Sequence, residues 1–336
     1  MSRITVLGSG AWGTAIALSL SRNGNHQVTL WSRRTETAEA LNRSRENLHF
    51  LPGFPFSDAL RVTADDAQAA SSAEILVCVV PSEFLRPTMA RLTPHFHAGQ
   101  ILVSATKGLE DYSFLRMTEV IQICVAKSGL VLPAGALSGP SFAQEVAAGM
   151  PTALAVSFSD PAVTALIQKE FSSSTLRLYT NDDVIGVEMG GALKNVIAIA
   201  SGVLAGLGLG LNSSAALITR GIAEITRLSV AAGGQRETLA GLSGVGDLVL
   251  TCTGSLSRNR TVGVELGRGR KLPEILAGLD GKVAEGVRTT RAALGLARKL
   301  GVEMPITEQM ELILDEGKDP KAAIRELMLR PGRDEG

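Results

Sequence analysis

The sequence predicts an α/β fold, with an N-terminal Rossmann-like doubly wound sheet followed by a C-terminal all-α domain. Three observations predict it. Short β-rich runs alternate with helix-length segments through the first half, the pattern of βαβ units and a parallel sheet. The first run leads directly into Gly8-Ser9-Gly10-Ala11-Trp12-Gly13, a G-x-G-x-x-G set between a strand and a helix. From about residue 184 strand-like runs become scarce, and alanine-rich segments with helical periodicity take over.

The elements follow in order. ITVLG (4–8) reads as the first strand, and a helical stretch through AIALSLSRNG (15–24) stops at Gly24. QVTLWS (27–32) is the second strand. ILVCVVP (75–81) and GQILVSATKG (99–108) are continuous apolar runs, as expected of central parallel strands buried on both faces. GALSGPS (135–141) and TALAVSF (152–158) continue the series. Later, Leu193, Val196, Ile197, Ala200, Val203, Leu204 and Leu207 recur at helical spacing and predict a helix with one buried face. SAALITRGIAEITRLSVAAG (214–233), TVGVELGRG (261–269) and TTRAALGLARKLG (289–301) read the same way. The glycine-rich GLGLGLN (206–212) suggests a bend or a close backbone approach. The boundary falls near 183–187, giving a dinucleotide-binding domain at 1–185 and a helical substrate and catalytic domain at 186–336.

Composition removes several function classes. The 336 residues are 45% apolar and 20% charged, ordinary for a folded globular chain. Thirty-three basic and 33 acidic residues cancel, which argues against a general nucleic-acid binder. Only 4% of residues are aromatic, too few for a base-stacking surface. A local basic pocket for a phosphorylated small molecule stays open. Cys78, Cys124 and Cys252 form no disulfide framework, so a reducing, cytoplasmic compartment is expected. No basic-then-apolar leader is present, and no apolar run approaches the ~18–20 residues of a membrane span, so no membrane insertion is expected. His26, His49, His95 and His97 form no ligand constellation, so no metal site is expected.

In the fingerprint, Gly8 permits the tight turn, Gly10 lets the backbone approach a pyrophosphate, and Gly13 lets the helix pack on the strand. Free N–H groups at the helix start then face the anion. An NAD-selective site usually ends the second strand in Asp or Glu. Here it ends Trp31-Ser32-Arg33-Arg34, and two guanidiniums can neutralise a 2′-phosphate. NADP(H) is therefore expected ahead of NAD(H), with Arg33 ahead of Arg34 as its contact.

The segment GGALKNVIAIA (190–200) carries one lysine, Lys194, among small and apolar residues. Burial there disfavours the ammonium and makes Lys194 a better proton exchanger. Gly190, Gly191 and Ala198 share its side of the helix, which leaves room for a ligand beside the amine. Lys107 falls just after a predicted strand, where open α/β sheets bind ligands. Ser257-Arg258-Asn259 precedes a helical segment, so Ser257 can be its N-cap, and a helix start beside an arginine suits a phosphate.

GALKNVIAIASG (191–202) resembles the signature of the NAD(P)-dependent glycerol-3-phosphate dehydrogenases. So do ATKGLE (105–110), SGPSFAQE (138–145), GVGDLVLTC (244–252), SRNR (257–260), KVAEGVRTT (282–290) and GVEMPITE (301–308). The resemblance runs nearly the whole chain in order and is closest to the bacterial type that feeds glycerophospholipid synthesis. It implies reversible hydride transfer between a nicotinamide and carbon 2 of dihydroxyacetone phosphate, giving sn-glycerol 3-phosphate. It makes Lys194 the proton donor in reduction and the acceptor in oxidation. It assigns substrate contacts to Lys107, Gly139, Ser141, Lys194, Asp247, Thr251, Ser257, Arg258 and Asn259. It assigns cofactor contacts to Gly8, Ser9, Gly10, Ala11, Trp12, Gly13, Arg33, Arg34, Lys107, Ala143, Arg258, Val283 and Glu285. Family members often carry Thr where this chain has Ser141; the hydroxyl is kept. A homodimer is expected from the family. Two other readings are weaker. A related dehydrogenase acting on a hydroxy acid or acyl thioester leaves SRNR unexplained, and a redox-sensing regulator should carry a basic DNA-reading helix, for which the sequence gives no sign.

Overall fold

The computed structural model describes residues 2–22, 24–279, 284–332 and 334. Its strands are β1 (Ser2–Leu7), β2 (His26–Trp31), β3 (Glu46–Asn47), β4 (Leu51–Pro55), β5 (Leu60–Thr63), β6 (Ile75–Cys78), β7 (Ile101–Ser104), β8 (Ala134–Ser138), β9 (Thr152–Ser157) and β10 (Leu176–Asn181). Eight form one sheet in the order β10-β9-β8-β7-β6-β1-β2-β5, and β3 with β4 make a small hairpin. The six predicted strands are all present. The edge strands β5 and β10 and the hairpin are additions, their sequences being no more than half apolar.

From β5 through β8 the pairs are parallel, with β1 between β2 and β6. The chain reverses its direction of travel across the sheet at β1. That is the topological switch point, and ligands bind outside the carboxyl ends of the strands there. One expectation is corrected. TALAVSF does not continue the parallel series: β9 runs antiparallel to β8, and β10 follows β9. The link from β8 to β9 contains only the five-residue helix Ala143–Ala147, which rises about 7.5 Å. A five-residue strand such as β8 spans about 17 Å, so this helix alone does not carry the chain back to the amino ends of the strands, and β9 instead starts beside the end of β8 and runs back along it. Residues 139–151 therefore stay at the carboxyl ends of the strands.

Past β10 the chain is helical. The Val184–Gly206 helix begins with Asp183, whose carboxylate accepts the Gly186 N–H at 2.8 Å. It does not have a single buried face: every residue from Gly186 to Leu204 is buried. The helices Leu211–Ala231, Asp247–Thr253, Arg258–Gly267 and Glu285–Leu300, together with β8, pack around it. Its 23 residues and mean hydropathy of 1.4 make it long and apolar enough to cross a membrane, contrary to the expectation that no such run exists. In the protein 83% of that apolar window is buried. Scattered Gly, Lys, Asn and Ser break the apolar run without bringing its average below that of a membrane span.

Small residues set one packing distance. Gly202 and Gly206 face Gly263 and Gly267 of the Arg258–Gly267 helix, and a Cβ on any of the four would overlap backbone of the opposite helix. Backbones this close make Cα–H···O=C contacts that side chains would prevent. The GLGLGLN stretch does both things expected of it. Gly206 is one of these close approaches, and Gly208 turns the chain at φ +73°.

Candidate active site

In the glycine-rich turn the three glycines have three different reasons. Gly8 sits at φ +124°, a conformation that L side chains rarely adopt. A Cβ on Gly13 would overlap the Gly8 carbonyl. Gly10 has neither constraint: a Cβ there meets nothing within 4 Å, so the chain itself does not require glycine. An open cradle at the middle glycine fits a ligand that must approach the backbone. Beside it, Ser9 Oγ donates to Ser32 Oγ at 3.0 Å, and the buried Trp12 Nε1–H has no acceptor among the described residues. The helix that follows spans Ala11–Arg22.

The turn is also held from outside the motif. Asn47 Nδ2 donates to the Ser9 carbonyl at 2.9 Å and to Thr14 Oγ1 at 2.8 Å. Past β2, Arg33 lies over the Phe84 ring at 5.2 Å, and its carbonyl accepts from Arg91 at 3.2 Å. Arg34 precedes the Thr35–Ser44 helix and makes no side-chain cap. Both guanidinium-bearing residues are exposed.

The second cluster centres on Lys194. Its Nζ donates to Asp247 Oδ1 and to Thr251 Oγ1, the latter at 2.8 Å. Thr251 Oγ1 in turn donates to the Asp247 carbonyl at 2.6 Å. Asp247 opens the Asp247–Thr253 helix after a π-helical turn, Leu242–Gly246. Its other oxygen, Oδ2, accepts from Lys107 Nζ at 2.7 Å, and Lys107 also donates to the Gly139 carbonyl at 3.3 Å. A lysine from the sheet domain and one from the helical domain thus share one carboxylate. An ammonium has three donors. Lys194 and Lys107 each spend two within the described residues, leaving one apiece.

Burial pulls the Lys194 ammonium down to about 8, against the opposing pull of Asp247 and with a further lowering from Lys107. Glu285, expected from the resemblance as a cofactor contact, is half-buried. Its carboxyl is raised by desolvation and held back by Arg258, Lys107 and Lys194, so it faces the same cluster. Val283 lies outside the described residues. Ser141 Oγ donates to the Gly139 carbonyl at 3.0 Å, and Ala143 starts the short helix after β8.

Gly190, Gly191 and Ala198 do not leave room for a ligand, contrary to the expectation. A Cβ on Gly190 would overlap the Ser243 carbonyl, one on Gly191 would overlap Ser138 Oγ, and Ala198 is fully buried. Their smallness admits protein. It lets the π-helical turn that carries Asp247, and the end of β8, pack directly on the helix that carries Lys194.

Ser257 caps the Arg258–Gly267 helix as expected, its Oγ accepting the Arg260 N–H at 3.2 Å. Arg258 is exposed at that helix start. Asn259 is buried and used within the chain: Nδ2 donates to Asn195 Oδ1 at 2.9 Å, and Oδ1 accepts the Gly286 N–H at 3.0 Å. It therefore ties the Val184–Gly206 helix to the start of the Glu285–Leu300 helix. Asn195, Asn47 and Glu188 were not singled out from sequence. Glu188 is buried and accepts from Arg116 Nη1 at 2.7 Å, Thr118 N at 2.8 Å and Thr118 Oγ1 at 2.6 Å. No spacing rule marks such partners, because they lie tens of residues away in sequence.

Two family models match in succession. One, described as NAD-dependent glycerol-3-phosphate dehydrogenase N-terminus, matches residues 3–164, and its C-terminus counterpart matches residues 183–325. A glycerol-3-phosphate dehydrogenase (NAD(P)+) of Acidobacterium capsulatum is 61% identical, with all of both chains covered. The protein of that name from Koribacter versatilis is 56% identical over all of this chain and 99% of its own. Among solved structures, the glycerol-3-phosphate dehydrogenase of Coxiella burnetii superposes with a TM-score of 0.93 at 39% identity, covering 98% of this chain and 99% of that one.

Proposed function

The chain belongs to the NAD-dependent glycerol-3-phosphate dehydrogenase family, and from that premise we propose how its residues divide the NAD(P)H-dependent reduction of dihydroxyacetone phosphate to glycerol 3-phosphate. The bound dinucleotide supplies the hydride. Lys194 supplies the proton: its remaining N–H points charge at the ketone oxygen, and the proton moves from Nζ to that oxygen as negative charge develops. In the reverse direction the neutral amine takes the proton back. The observation that carries this reading is the buried ammonium at about 8, fixed by Asp247 and Thr251. A donor near the working pH is efficient, and general acid catalysis contributes about 10²–10⁴-fold. An oriented donor to a developing oxyanion contributes about 3–4 kcal/mol.

Lys107 adds a second cation from the sheet domain, and Asp247 bridges the two ammoniums and offsets their repulsion. Two lysines against one carboxylate leave positive charge for a phosphorylated substrate. Ser257 and Arg258, at a helix N-terminus, hold the substrate phosphate. Asn259 orients that helix start with its partners in the chain, and Gly139 and Ser141 line the same strand end. On the cofactor side, Gly8 to Gly13 receive the pyrophosphate, as the open cradle at Gly10 supports. Arg33 and Arg34 receive a 2′-phosphate, so NADP(H) is preferred over NAD(H). Ala143 and Glu285 border the nicotinamide end. The reading extends to a cytoplasmic homodimer that supplies glycerophospholipid synthesis; three free, buried cysteines fit a reducing compartment.

Following NADPH absorbance with dihydroxyacetone phosphate tests the reading. Turnover is expected with the phosphorylated ketone, more weakly with NADH, and not with unphosphorylated dihydroxyacetone. Equal turnover of the two ketones would remove the phosphate site, and Lys194→Ala with full activity would remove the proton-transfer role.

A further inference from the structure

We propose that Asn47 is a positioning residue for the dinucleotide, acting through the peptide between Ser9 and Gly10. The proposal rests on the placing of the pyrophosphate at Gly8 to Gly13. Asn47 is 3% exposed, and its amide is fully used. Both N–H donors go to the phosphate-binding segment, at Ser9 O and Thr14 Oγ1, and its oxygen accepts the Phe50 N–H at 3.1 Å. In a trans peptide the C=O and the following N–H point in opposite directions. Anchoring the Ser9 carbonyl on Asn47 therefore turns the Gly10 N–H away from the hairpin. That N–H has no acceptor among the described residues. It is a donor oriented in advance for an anion, at the glycine whose surroundings are open.

The hairpin that carries Asn47 is rigid enough to act as an anchor. Leu51 on β4 is buried in the core of the sheet domain. Arg45, at φ 52°, donates from Nη2 to the Ser57 carbonyl at 2.6 Å and the Leu60 carbonyl at 3.0 Å, tying the hairpin to β5. The Phe56 N–H returns to the Arg45 carbonyl at 2.6 Å, and the Gly53 N–H to Glu46 Oε1 at 2.6 Å. Asn47 is thus fixed to the sheet independently of the turn it holds.

The test measures binding of NADPH and of ADP-ribose, which carries the pyrophosphate without the nicotinamide, by calorimetry on the full chain. Asn47→Ala is expected to raise both dissociation constants about tenfold, the scale of one lost oriented hydrogen bond. Asn47→Asp is expected to raise them further, because a carboxylate cannot donate to Ser9 O and adds negative charge beside the anion. Both variants should keep kcat at saturating NADPH and KM for dihydroxyacetone phosphate within about twofold, a split that general loosening does not give. Gly10→Ala is the control. If it weakens ADP-ribose while both Asn47 variants bind like the parent, the role of Asn47 is overturned and the pyrophosphate placement stands. If Gly10→Ala binds ADP-ribose unchanged, the placement itself fails. Loss of kcat, substrate KM and cofactor binding together, or failure of both Asn47 variants to fold, makes the residue merely structural and overturns the proposal.

Discussion

Lys194 and Asp247 form a buried ion pair, the lysine 6% and the aspartate 0% exposed. Desolvation of two charges is costly, and their attraction offsets it only when further hydrogen bonds satisfy both groups. Here they do. Thr251 takes a second donor of Lys194, and Lys107 takes the second oxygen of Asp247. The pair holds a proton loosely enough to give it up, at a fixed place.

The first prediction is a pH dependence. Burial lowers Lys194 to about 8, so the ammonium dominates below that pH and the amine above it. Reduction needs the ammonium; its kcat/KM should be level below about 8 and fall roughly tenfold per unit above it. Oxidation of glycerol 3-phosphate needs the amine and should fall below about 8. Profiles in the two directions that bend the same way would rule out one group serving both.

Asp247→Asn should move that bend. Asp247 is the largest influence holding the Lys194 proton on against burial. Without its charge two ammoniums face each other with no shared counter-ion, and Lys194 loses its proton more readily. The high-pH limb for reduction should shift to lower pH by about one unit or more, the scale of a lost partner charge. A limb that stays near 8 would show that Asp247 orients Lys194 without tuning it.

Gly263→Ala should destabilise the helical domain and disturb the phosphate end of the site. A Cβ there overlaps the Ile199 carbonyl, a backbone atom with no flexible side chain to yield. Overpacking of this kind costs about 1–3 kcal/mol. Because the same helix begins at Ser257 and Arg258, KM for dihydroxyacetone phosphate should rise more than KM for NADPH. Thermal melting gives the first effect and steady-state kinetics the second; equal rises in the two KM values would refute the link between packing and site.

The legible parts of the fold and site were those fixed by local chemistry. Gly8, Gly10 and Gly13 fall within six consecutive residues with roles set by the turn, and Ser257 precedes a helix it caps. Unreadable were features decided by what arrives from far along the chain. The reversal of β9 depends on how short the preceding helix is. The smallness of Gly190 and Gly191 looked like space, because sequence does not show that Ser243 and Ser138 fill it. Asn47 and Glu188 carry no local pattern for their roles; the groups Asn47 donates to lie 33–38 residues away and the donors to Glu188 lie 70–72 residues away.

Glu188→Ala should separate stability from chemistry. Glu188 ties the helix that bears Lys194 to the start of the Met117–Ala126 helix, through the Thr118 N–H and hydroxyl and Arg116. Removing one partner of a buried charge pair costs about 3–5 kcal/mol, because the other is left unpaired. The melting temperature should fall, and Glu188→Gln, which keeps an acceptor for Thr118, should recover part of it. Lys194 keeps its own partners, so the high-pH limb in reduction should stay near 8 in both variants. A shifted limb would mean that Glu188 reaches the reacting lysine and is not only a tie between domains.

The last prediction concerns the cofactor's second phosphate. Arg33 is held over Phe84 by a cation–π contact, which limits the freedom its guanidinium would lose on binding. Arg34 has no such brace among the described residues. Arg33→Ala should therefore raise KM for NADPH more than Arg34→Ala does, and the double variant most of all. KM for NADH, which lacks the 2′-phosphate, should change little in any of them. Phe84→Leu removes the ring but leaves both charges. It should move the NADPH value part of the way towards that of Arg33→Ala. If all the variants weaken NADH as much as NADPH, the arginines serve the fold of the strand end and another group must read the phosphate.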